Sequence, residues 1–89
     1  MARSRALFPG LAVQPVPVRA GEALELTGLP EGPLTVELLS VLGQRLSVST
    51  WLLSASRKLV RQAAPSQPGL YLLRLTTPGG RQTQRVLVE

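Results

Sequence analysis

Glycine and proline clusters punctuate most of this chain at intervals of about 8 to 12 residues, the spacing expected of an all-β sandwich. The runs between the clusters are short and rich in Leu, Val and Thr, with poor helical periodicity. They read as strands near Leu11–Val16, Ala23–Thr27, Leu34–Val41, Arg45–Leu53, Lys58–Ala63, Leu70–Thr77 and Gln82–Val88. The expected fold is therefore all-β, an immunoglobulin-like antiparallel β-sandwich of about seven strands. One or two helical turns between Trp51 and Gln62 are the competing reading, disfavoured because serines interrupt the apolar face.

Alternation assigns faces within the runs. Leu24 and Leu26 flank Glu25, Val36 and Leu38 flank Glu37, and Leu46 and Val48 flank Ser47, so each pair is expected to face inward. Tyr71, Leu73 and Leu75 share a face, with Leu70 and Leu72 opposite them, which predicts a strand buried on both sides at its start. In the last run Val86 and Val88 oppose Thr83, Arg85 and Leu87. Pro30-Glu31-Gly32-Pro33, Gly43 and Pro78-Gly79-Gly80 supply chain reversals. Pro15 and Pro17 lack ladder donors, placing the first strand at a sheet edge or letting it cross between sheets.

A chain of 89 residues accommodates one compact domain, and 44% hydrophobic against 17% charged residues is a folding composition. The core must be Leu and Val, because Phe8, Trp51 and Tyr71 are the only aromatic residues. Cysteine and histidine are both absent. That removes disulfides, thiol nucleophiles, Ser-His-Asp constellations and His- or thiolate-ligated metal sites. The acids are Glu22, Glu25, Glu31, Glu37 and Glu89, placed where solvated faces are the common environment. No catalytic, cofactor or metal residue is assigned, and the chain reads as non-enzymatic.

The formal charge is +5, but the ten basic residues are scattered and the aromatics too few for a stacking platform, so nucleic acid is not the expected partner. No run approaches the roughly 18 consecutive apolar residues of a membrane-spanning helix. Residues 1–10 carry arginines without an apolar core and read as a linker, with the domain at 11–89. If the domain is exported, the expectation is that it belongs to a longer precursor.

Three clusters carry a resemblance by their order: Pro15 and Pro17 before the second strand, Gly43 with Arg45 at a hairpin, and Gly69 with Tyr71 entering a strand. With Gly79, Gly80 and the closing Arg85-Val86-Leu87-Val88, they resemble the type A C-terminal sorting domain of type IX secretion cargo. Val16 stands where that family commonly has Asn, Gln14 where an aromatic is frequent, and Glu89 where the family ends in a basic residue.

The resemblance implies a signal domain that directs an N-terminally fused cargo through the periplasm and the type IX translocon to the cell surface. A surface sortase would then cleave upstream of Leu11. It implies that the final strand, with Arg81, Arg85, Val86, Leu87, Val88 and Glu89, is the recognition element, with Gly43, Arg45, Gly79 and Gly80 contributing from the loops. Pro15, Pro17, Gly69 and Tyr71 would be structural. Two alternatives stand beside it. One is an immunoglobulin-like adhesion or carbohydrate-binding module using Trp51; the other is a basic nucleic-acid-binding β-barrel with steeply salt-dependent affinity.

Overall fold

A computed structural model describes residues 10–56 and 59–89, and among these residues there are seven strands and no helix. The strands are β1 (Ala12–Gln14), β2 (Ala23–Thr27), β3 (Gly32–Ser40), β4 (Arg45–Leu53), β5 (Val60–Ala63), β6 (Gly69–Thr77) and β7 (Gly80–Val88). They form two antiparallel sheets, β1-β2-β5 and β4-β3-β6-β7, packed as a β-sandwich. In constant-type immunoglobulin domains the fourth strand joins the sheet of the first, second and fifth. Here β4 instead pairs with β3 and forms one edge of the four-stranded sheet.

Leu24 and Leu26 of β2, Leu34, Val36 and Leu38 of β3, Leu73 and Leu75 of β6, and Val86 and Val88 of β7 close the core between the sheets. Each buried Leu or Val of this kind stabilises by about 1.5–3 kcal/mol. Tyr71 packs against the same core and donates its hydroxyl to the Gln67 carbonyl at 2.7 Å. The bond ties the start of β6 to the loop before it, the logic of the tyrosine corner of such sandwiches.

The prolines end β1 sooner than expected, because residues 15–17 leave the ladder after Gln14; both Gln14–Pro15 and Val16–Pro17 are cis. Having left β2, the chain crosses to the other sheet, where Val18 bridges Val88 in parallel. At the β3–β4 turn, Gly43 takes a φ of 87° and its N–H donates to the Ser40 carbonyl at 2.9 Å. Ser40 Oγ accepts the N–H groups of Leu42 and Gln44, at 3.3 and 3.1 Å. Between β6 and β7, pairing runs to Thr77 and Gly80, so only Pro78 and Gly79 form the turn and β7 begins before Gln82.

Several expectations are corrected. Val48 does not face the core, being 50% exposed, and Leu46, unpaired at the bulge and 48% exposed, borders an open cleft rather than the closed core. The register sets Ser47, Ser49 and Trp51 against the inward Leu38, Val36 and Leu34, so Val48, Thr50 and Leu52 point outward. Leu70 is 43% exposed, so β6 is not buried on both sides at its start. Glu37 is buried rather than solvated. The helical alternative fails at Trp51–Leu53 and at β5, which are strand, while Arg57 and the expected strand start at Lys58 lie outside the described residues. Phe8 and most of the expected linker lie outside them too. Among the described residues no helix is long and apolar enough to cross a membrane.

Candidate functional site

Pro15 and Pro17 follow β1 of the three-stranded sheet, whereas the residues expected to carry recognition fall on the four-stranded sheet and its turns, divided between its ends by antiparallel pairing. Ser40 lies opposite Tyr71, and Tyr71 opposite Val86, so the Gly43 turn sits at the end of the sheet where β7 finishes. Gly79, Gly80 and Arg81 lie at the other end, beside Thr76 and Thr77. Gly43 and Gly80 therefore do not form one loop surface. Arg45 and Arg85 do share a row across the outer face, separated by Leu39 and Leu72.

The last strand is two-sided in chemistry. Val86 and Val88 are 0% and 2% exposed and belong to the core, so they are not available as contacts. Arg81, Thr83, Arg85 and Leu87 alternate with them on the exposed face. The same odd-numbered residues turn their backbone groups away from β6, as the bonds at the end of the strand establish. Leu87 C=O accepts from Val18 N–H at 3.0 Å, Glu89 N–H donates to Val18 C=O at 2.8 Å, and Glu89 C=O accepts from Ala20 N–H at 2.9 Å. The strand's end is thus clamped by Val18–Ala20. Among the described residues no strand pairs with the outward backbone groups of Arg81, Thr83 and Arg85.

Sequence reasoning missed the electrostatic centre of this face. Glu37, in the middle of β3, accepts Arg74 Nε–H at 2.8 Å and Arg74 Nη2–H at 3.0 Å, and lies 3.3 Å from Arg45 Nε. Such a fork is the geometry that makes Arg–carboxylate pairs directional. The signal was present: Glu37 and Arg74 lie directly opposite on neighbouring strands, but only if β3 and β6 are known to pair. The Arg74 hydrogen bonds hold the Glu37 carboxyl below its ordinary range against the opposing effect of burial, and the charges of Arg74, Arg45 and Arg81 add to this. The same bond raises Arg74.

A carboxylate with a depressed folded pKa contributes stability above its unfolded value, and the contribution fades as pH falls through the folded one. The stabilising contribution of Glu37 should therefore be complete above its ordinary value of 4.5 and disappear in more acid solution. Thermal melts of the native chain and Glu37→Gln from about pH 7 to about pH 2 should differ most at neutral pH and converge in acid. A constant difference between the two would refute this role.

A cleft of about 450 Å³ opens between the sheets where β4 overhangs the short β5, lined by Leu38, Leu46, Ser47, Gln62 and Tyr71 among others. Trp51 lies beyond it, half-buried, with its indole N–H donated to Ser49 Oγ at 3.0 Å. Among the described residues no cluster of carboxylates could hold a metal ion. Compared with protein-family models, with curated proteins and with solved structures, the chain finds no match.

Proposed function

We propose that this domain is a non-enzymatic secretion signal, read by the type IX translocon through the open edge and exposed face of β7. It carries a cargo fused before it to the outer-membrane surface or beyond, where a sortase separates the two. The observation behind this reading is the state of β7. Its end is held to the body by Val18 and Ala20, while Arg81, Thr83 and Arg85 turn backbone groups to the open edge of the sheet. An ordered strand with one addressable edge is what recognition by strand addition requires. The two prolines, the Gly43 turn, the Gly69 and Tyr71 entry to β6 and the basic final strand occur in the order of the sorting family.

The test is a reporter with a Sec signal peptide, followed by this chain, expressed in a cell with a type IX system. Surface display is expected. The double variant Arg81→Glu, Arg85→Glu should remain folded, since both side chains are exposed, and should leave most of the reporter in the periplasm. Periplasmic retention of the intact, folded native fusion would refute the proposal. Normal display of the double variant would remove the arginines from the recognition element.

A further inference from the structure

β4 is the second edge of the four-stranded sheet, and its chemistry is unlike that of β7. From Ser47 to Leu53 it has no charged residue, no proline and no glycine. Edge strands are ordinarily guarded by such residues against pairing with another chain. The strand's bulge lies at its start, where the register shifts between Leu38 and Leu39, leaving Ser47–Leu53 regular.

The outward groups follow from the turn. Ser40 directs its N–H to Gln44, so Leu38, Val36 and Leu34 also face β4 with their backbones, and Ser47, Ser49 and Trp51 face them. Val48, Thr50 and Leu52 then turn N–H and C=O to the open edge. Their side chains lie on the outer face, with Val48 50% and Leu52 80% exposed. Among the described residues nothing pairs with this edge.

We infer that this edge is a self-association surface, on which β4 of a second copy pairs antiparallel about a two-fold axis through Thr50. That register sets Thr50 against Thr50 of the second copy, and Val48 against Leu52 in both directions. Thr–Thr and branched apolar cross-strand pairs are favourable, and no like charges meet between Ser47 and Leu53. The outer apolar side chains of the strand cover one another, and all the outward backbone groups find partners.

The uncharged strip offers nothing that a charged foreign strand would select, whereas its own sequence is complementary to itself. Assembly stops at two, because the opposite edge of the sheet carries Arg81 and Arg85 and is clamped at its end by Val18 and Ala20. The contact is isologous and closed. Because each copy carries a formal charge of +5, salt should strengthen the association by screening repulsion. Edge pairing buries less than a standard interface of about 1,200–2,000 Å², so the dimer is weak.

Sedimentation equilibrium on the chain tests this. The 9.5 kDa mass should rise toward twice that value between about 10 µM and about 1 mM, with the midpoint moving to lower concentration when salt is raised. Thr50→Lys and Thr50→Glu should each remain monomeric, because like charges then meet on the axis, and an equimolar mixture should recover the dimer. On dilution of the native chain, amide NMR shifts should move at 47–53 and not along β7. A native mass that stays at 9.5 kDa at about 1 mM overturns the inference, as does a Thr50→Lys chain that dimerises like the native one. Failure of the mixture to recover the dimer overturns the two-fold register. Should either variant lose its β-type circular dichroism, the dilution experiment decides alone, and shifts outside 47–53 overturn the surface.

Discussion

Removing Arg85 to Glu89 is expected to unfold the domain, leaving a random-coil circular dichroism spectrum and no cooperative melt. The deletion takes out Val86 and Val88, two fully buried core side chains, each contributing about 1.5–3 kcal/mol. It also removes the pairing of β7 with Gly69, Leu70, Tyr71 and Leu72. The bonds from Leu87 and Glu89 to Val18 and Ala20 are lost with it, each net bond adding about 0.5–1.5 kcal/mol. A domain this small sits at the low end of the usual 5–15 kcal/mol or so of stability, and the losses together reach or exceed it. A truncated chain that still melts cooperatively would contradict this account of the core. Loss of export on truncation would therefore report loss of the fold, and the charge reversals at Arg81 and Arg85 are needed to isolate recognition.

How far the sequence could be read differs by strand, for a definite reason. Alternation identifies which residues share a face, but not which face meets the core. In β2 the two coincide, since Leu24 and Leu26 are the only apolar pair and both are fully buried. In β4 they part: Leu46 and Val48 are the apolar alternates, yet pairing with β3 turns Ser49 and Trp51 inward. Nothing local in the segment carries that information, because an edge strand's inward face is set by its neighbour's register. Glu37 was unreadable for a related reason. A lone carboxylate in an apolar run looks solvated until the partner that buries it, Arg74, is brought from another hairpin.

The candidate site was legible in its parts and not in its arrangement. The Gly43 turn, the Tyr71 strand entry and the exposed alternation of Arg81, Thr83, Arg85 and Leu87 could be read from local chemistry. That Gly43 and Gly80 lie at opposite ends of one sheet depends on β3 pairing with β6, a contact between distant parts of the chain. The covering of the β7 end by Val18 and Ala20 is another such contact. It confines the open edge of β7 to the strand's first half.

Gly28→Ala should be the most damaging single conservative substitution at a surface turn. Gly28 follows β2 directly and holds a φ of 74°, a conformation that costs a side-chain-bearing residue about 1–2 kcal/mol. A Cβ there would also overlap the carbonyl of Gly10, where the incoming chain passes close against the backbone just before β1. Relieving the overlap means moving Gly10 and Leu11. That would disturb the pairing of Ala12 with Thr27 and the packing of Leu11 and Val13 on the core. The expected loss is about 3 kcal/mol, lowering the melting temperature by about 10–20 °C. Gly21→Ala is the matched control: its φ is 81°, but nothing lies within 4 Å of its added Cβ. It should lose only the conformational part, about 1–2 kcal/mol. The difference between the two melts measures the close approach itself. Equal losses would mean that the N-terminal segment yields freely and that β1 is not anchored at this crossing.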